Sequence, residues 1–164
     1  NPADAARLGI QQDEAIRIIE TTLDAVTPAK QGATRLVWGH NVETVPRLYR
    51  TARKAARYDV SLGLLRRAAA MPGVEAKSAI MLGLGETRDE VMQVLRDLRA
   101  HDVARVSLGQ YLRPSRESLP VVEYIHPDAF ARYEDDARAL GFRWVKAGPL
   151  VRSSYHAEEE QPHD

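Results

Sequence analysis

Apolar positions along this chain follow two periods, and the changes between them outline the elements. Ile16, Ile19, Leu23 and Val26 recur at helical spacing, predicting an amphipathic helix over about 12–26 that ends at Thr27-Pro28. Thr34 to Trp38 predicts a short strand, and Tyr58, Leu62, Leu65 and Ala69 a second helix, stopped by Pro72-Gly73. Lys77 to Leu84 is apolar and strand-like up to Gly83 and Gly85. Thr87-Arg88-Asp89-Glu90 has the form of a capping box, followed by Val91, Val94, Leu95 and Leu98 on one helical face. Arg105 to Leu108 predicts another strand, then a loop with Pro114 and Pro120. Pro127 suits a first helical position ahead of the stripe Ala129, Phe130, Tyr133, Ala137 and Leu140, with Gly141 as the residue after the cap. Arg143 to Ala147 and Pro149 to Val151 form the last extended piece, which reads as a buried strand delivering Arg152, Ser153 and Ser154 to one point.

Strand and helix alternate, so the expected class is α/β, a parallel sheet with outer helices. Hydrophobic content of 44% and charged content of 28% are values of a globular domain, and 164 residues can bury a core. The residues after Ala157, with Glu158-Glu159-Glu160, predict a disordered acidic tail over 158–164.

Composition narrows the chemistry. No cysteine occurs, which excludes disulfides, cysteine zinc sites and a self-contained iron–sulfur cluster. Basic and acidic residues balance at 23 each, so no overall field draws nucleic acid. No run nears the roughly 18 apolar residues of a membrane span, and no signal-peptide pattern opens the chain. A cytoplasmic location is the expectation. Charge is unevenly placed: Arg47, Arg50, Arg53, Lys54, Arg57, Arg66 and Arg67 stand against Asp59 alone, either a solvated face or a docking surface for an acidic partner.

In parallel α/β folds ligands bind beyond the carboxyl ends of the strands. Those ends carry the unusual residues: His40, Asn41 and Glu43; Gly83, Gly85 and Glu86; Gln110, Tyr111 and Arg113; Arg152, Ser153 and Ser154. Each alone has an ordinary structural reading. Asn41 suits a turn, Gly83 and Gly85 a helix entry, Glu86 a helix dipole, and His40 a structural hydrogen bond. Their coincidence at one rim is what points to a site.

Taken in order, four blocks resemble the lipoyl synthase family of radical S-adenosylmethionine enzymes. They are His40-Asn41-Val42-Glu43-Thr44-Val45-Pro46-Arg47-Leu48-Tyr49, Lys77 through Thr87, Gly109-Gln110-Tyr111-Leu112-Arg113-Pro114-Ser115, and Gly148 through His156. The resemblance covers about Gly39 to Ala157 and carries nothing over for the first ~35 residues. It implies the C-terminal half of a partial (β/α) barrel of TIM type, over 1–157, with S-adenosylmethionine lying across the strand ends. Ala79 to Glu86 is similar to the pattern G-x-I-x-G-x-x-E, with Ala79 and Met81 replacing glycine and isoleucine, so Met81, Gly83 and Glu86 fall in the cofactor loop. Asn41 and Glu43 would meet the ribose or methionine end, Gln110 would lie nearer the adenine, and Arg152 would hold its loop and offset negative charge. Ser154 would ligate an auxiliary four-iron cluster. The implied reaction inserts two sulfur atoms into an octanoyl chain carried on a lipoyl-carrier protein domain, using S-adenosylmethionine and two [4Fe-4S] clusters. No single catalytic residue is assigned.

The family binds those clusters through cysteines upstream of the matched region, and this chain has none. It is therefore expected to be part of a longer enzyme and inactive alone. Lys54 stands where the family usually has proline. Two other classes remain open: a non-catalytic module that binds adenosine or carrier protein, and an interaction domain using the basic face. An exposed sheet edge would also favour self-association.

Overall fold

The structure, a computed structural model, describes residues 36–153. The predicted helix over 12–26, the tail over 158–164 and Ser154 lie outside the described residues. Four strands form one parallel sheet in chain order: β1 (Leu36–Gly39), β2 (Val74–Leu82), β3 (Arg105–Gln110) and β4 (Trp144–Gly148). Between them lie a 3₁₀ turn (Pro46–Leu48), α1 (Tyr49–Ala52), α2 (Tyr58–Ala69), α3 (Arg88–Ala100) and α4 (Pro127–Ala139). Neighbours in sequence are neighbours in the sheet, and no strand is skipped. Sequential βα units wound in one direction are the architecture of part of a (β/α) barrel.

Strand alternation sorts the two faces. Ala76, Ile80 and Leu82 of β2, Val106 and Leu108 of β3 and Val145 of β4 share one face. They form a single core with Leu62 and Leu65 of α2, Val91, Val94, Leu95 and Leu98 of α3, and Phe130, Tyr133 and Ala137 of α4. All three long helices therefore pack on that face. The opposite face carries Glu75, Lys77, Ala79 and Met81, then Arg105, Ser107 and Gly109, the face a barrel turns inward.

At the amino-terminal end of that inward face, buried Glu75 accepts from Arg105 Nε at 2.7 Å and also from Arg143. Lys77 Nζ sits 4.5 Å from the centre of the Trp144 ring, and it has no hydrogen-bond partner. Burial, then the charge of Arg105, pulls its pKa below the usual lysine value. In a barrel this end serves stability rather than chemistry.

Element limits differ from the sequence expectation in instructive places. β2 begins at Val74, three residues before Lys77, because Glu75 finds guanidinium partners on the inward face and can be buried there. β3 continues to Gln110, so Gly109 and Gln110 belong to the strand and not to the loop after it. The expected strand at Pro149–Val151 is not one. β4 ends at Gly148, and Val151 N donates to Gly148 O at 3.1 Å, closing a turn that leaves Leu150 80% exposed. The 3₁₀ turn and α1 had no periodic signal, being too short to show one. Among the described residues, no helix is long and apolar enough to cross a membrane.

Candidate active site

The four strand ends meet around one cleft. Its lining includes Asn41 and Glu43 beyond β1, Ala79 and Met81 of β2, Ser107 and Gly109 of β3, and Arg152 and Ser153 beyond β4.

One wall is built by a break in the sheet. β1 stops at Gly39, and the chain bulges through His40 and Val42 before rejoining β2 at Glu43. There Glu43 N donates to Ala79 O at 3.0 Å and Met81 N donates to Glu43 O at 2.8 Å. Glu43 reaches this position with φ of 68°, a left-handed conformation uncommon outside glycine. Strain of this kind persists where the surroundings over-determine it. Here Tyr49 Oη donates to Val42 O at 2.7 Å, Arg53 donates to Asn41 O at 2.9 Å, and Val42 N donates to Ser78 Oγ at 3.2 Å. The bulge brings Asn41 Nδ2 to 3.1 Å from Glu43 Oε1, so amide and carboxylate act as one polar pair at the cleft. Burial raises the Tyr49 pKa, outweighing the lowering effect of the Arg53 hydrogen bond and charge, and keeps its hydroxyl a donor.

His40 faces the helices. Its Nε2 lies 3.1 Å from Ser61 Oγ on α2, and its ring stacks on Trp38. Burial, then Arg53, lowers its pKa, so the neutral ring is favoured. It does not line the cleft.

The Gly83–Glu86 turn supports the cleft from outside its lining. Glu86 folds back so that its carboxylate accepts from Gly83 N at 2.5 Å and Leu84 N at 2.9 Å. Gly83, at φ of 103°, abuts Glu123 O and the Gln110 side chain so closely that a β-carbon would collide with both. Gln110 donates to Glu123 O at 3.1 Å and accepts from Ile125 N at 2.9 Å. The structure therefore uses the Glu86 carboxylate and the Gln110 amide to hold loops. Of the sequence-predicted residues, Asn41, Glu43, Met81, Gln110 and Arg152 are brought together at the cleft, whereas Gly83 and Glu86 brace its edge from outside. Arg152 is exposed, and its guanidinium donates to the neighbouring Val151 O at 2.9 Å.

Two residues escaped the sequence reading. Gly109 is met by Val151 O so closely that no β-carbon fits, and this contact lays the Val151–Ser153 segment over β3. Ser107, 1% exposed, lines the cleft with a hydroxyl that has no hydrogen-bond partner. The missed signal was polarity at inward positions of a strand otherwise read as apolar.

An amide–carboxylate pair and an apolar strip from Ala79 and Met81 together suit a ligand with a polar sugar-like end and a flat ring. The same residues do not suit an iron–sulfur cluster. The chain has no thiolate, and among the described residues no group of three His, Asp or Glu could hold a metal ion.

No protein-family model matches the chain. Curated relatives do. It is 52% identical over 125 residues to a lipoyl synthase of Paracidovorax citrulli (strain AAC00-1), covering 76% of this chain and 38% of that protein. It is 52% identical over 137 residues to lipoyl synthases of Burkholderia mallei (strain SAVP1) and Burkholderia pseudomallei (strain 668), covering 83% of this chain and 42% of each relative. The chain spans about two-fifths of the length of the relatives it matches.

Proposed function

Because the chain belongs to the lipoyl synthase family through the region it shares with these relatives, we propose that its cleft binds S-adenosylmethionine. In the complete enzyme it would form the C-terminal side of a site that inserts two sulfur atoms into a protein-bound octanoyl chain. The observation carrying this reading is the convergence of all four strand ends on one cleft, with Asn41 and Glu43 paired at its edge.

The residues take distinct parts. Asn41 and Glu43 hold the ribose or the amino-acid end, since together they offer a donor and an acceptor. Ala79 and Met81 lie against the purine, and Glu86 with Gly83 sets the height of the adjoining backbone. Gln110 acts by fixing the Glu123–Ile125 strip beside the ring. Arg152 steadies its segment over the cleft and offsets negative charge. S-adenosylmethionine held there would supply the radical chemistry once a cluster of the complete enzyme gave it one electron; the residues of this cleft would supply position and exclusion of water.

Ser154 follows this segment and is the family's expected oxygen ligand to the auxiliary cluster. The remaining ligands are cysteines, which this chain lacks, so no step through a cluster is assigned to these residues. The acidic carrier domain would approach along the basic face near α1 and α2.

Calorimetric titration of the chain with S-adenosylmethionine tests the reading. Binding is expected, weakened roughly ten-fold or more by Glu43→Gln, which removes a charge-assisted hydrogen bond while keeping shape. No binding by a chain with native circular dichroism would leave the carrier-docking alternative.

A further inference from the structure

Ser107 lies opposite Ala79 in the register of β2 and β3, on the inward face. Gly109, its next neighbour on that face, has no side chain, and Ala79 and Met81 beside it on β2 offer apolar atoms only. Lys146, its register partner on β4, does not line the cleft, so among the strand residues that do, Ser107 is the one that offers a hydroxyl. Among the described residues, four buried side-chain atoms lack a hydrogen-bond partner: Thr44 Oγ1, Lys77 Nζ, Arg99 Nε and Ser107 Oγ. Of these, only that of Ser107 belongs to a residue lining the cleft.

A hydroxyl buried without a partner lowers stability, and folded proteins keep few of them. Alanine would remove the unmet hydrogen bond at this position. The arrangement makes sense when a ligand completes the bond. We propose that Ser107 is a specificity-determining residue of the cleft, hydrogen-bonding the edge of the purine of an adenosine-containing ligand. The inference rests on the reading of the cleft as a nucleoside site. Within that reading the flat face of the ring meets the Ala79–Met81 strip on β2, and its edge reaches the adjacent strand β3, where Ser107 stands. A polar floor atom would favour a nucleobase over an apolar group of similar size, since an apolar group would leave the hydroxyl unpaired.

The test compares the chain with Ser107→Ala and Ser107→Thr by calorimetry, using S-adenosylmethionine and adenosine as probes, and by thermal melting without ligand. The alanine variant is expected to melt at the same or a higher temperature and to bind both probes roughly three- to ten-fold more weakly. The threonine variant, which keeps the hydroxyl, is expected to retain affinity. Unchanged affinity in the alanine variant overturns the proposal alone, as does a lower ligand-free melting temperature, which would reveal an internal partner. A loss confined to S-adenosylmethionine would move the contact to the amino-acid end and overturn the purine assignment. Failure of the parent chain to bind either probe removes the nucleoside reading and this inference with it.

Discussion

At the scale of single residues, the site depends on positions where a side chain is forbidden as much as on those that carry one. Gly109 is the clearest case. Val151 O occupies the space a β-carbon would need, and Gly109 is inside a paired strand, so the sheet cannot yield easily. Gly109→Ala should therefore push the Val151–Ser153 segment off the cleft, with modest loss of global stability. Limited proteolysis near Leu150 should speed up, and S-adenosylmethionine affinity should fall about ten-fold or more, whereas Gly63→Ala, in open space on α2, should do neither. Equal cleavage rates in the two variants would show the segment is held by something else. None of this could be read from Gly109 in the sequence, where it looked like the start of a loop.

At the scale of elements, α3 shows how local rules and one distant partner combine. Thr87 Oγ1 accepts from Glu90 N at 3.3 Å, and Glu90 returns the contact to Thr87 N at 2.8 Å, the capping box expected from four consecutive residues. What those four residues could not announce is Arg47. Its guanidinium donates to both Glu90 oxygens, at 2.7 and 3.0 Å, and to Gly85 O at 2.8 Å. The helix cap, the Gly83–Glu86 turn and the segment after Glu43 are thereby tied at one point. Arg47, and then the Thr87 amide, hold the Glu90 carboxyl down to about 2 from an ordinary 4.5. A depressed carboxyl pKa stabilises the fold above its unfolded value, and that contribution is lost as pH falls from about 4.5 toward 2. The melting temperature of the parent chain should thus fall more steeply across that window than that of Arg47→Gln. Parallel acid limbs would mean the pair contributes nothing, a fair outcome for a half-exposed ion pair. Thr87→Ala should cost about 1 kcal/mol at neutral pH by chemical denaturation.

For the whole molecule, the structure divides the basic stretch into two groups. Arg47, Arg53 and Arg57 are engaged within the fold, with Glu90, the Asn41 and Val42 carbonyls, and Asp59. Arg50, Lys54 and Arg66 are exposed. Charge reversal of Arg53 would disturb the Asn41–Glu43 bulge and confuse docking with cofactor binding. Lys54→Glu with Arg66→Glu is the cleaner test of the carrier surface. Association with an octanoylated carrier domain, followed by fluorescence anisotropy, should weaken several-fold and lose part of its salt dependence while S-adenosylmethionine affinity stays constant. Carrier affinity equal to the parent's would rule out this face.

The sequence by itself determined the α/β class, three of the long helices with their caps and stops, and the rim on which the polar residues gather. These follow from periodicity, capping chemistry and strand–helix alternation, which act over a few residues and can be seen in a linear string. Four blocks of motif in order were enough to place the family. Tertiary structure alone decided which polar groups remain available to a ligand. Gln110 stands in a motif, yet the fold brings it the Glu123 carbonyl and the Ile125 amide, which use its hydrogen bonds. Ser107 stands in an ordinary strand, yet register leaves its hydroxyl facing the cleft with nothing to meet. Pro149–Val151 had the composition of a strand and became a turn, because a crowded contact at Gly109 holds the chain across the sheet. The physical reason is common to all three: a polar group's role is set by what lies within about 3 Å of it, and those neighbours arrive from positions distant in the chain.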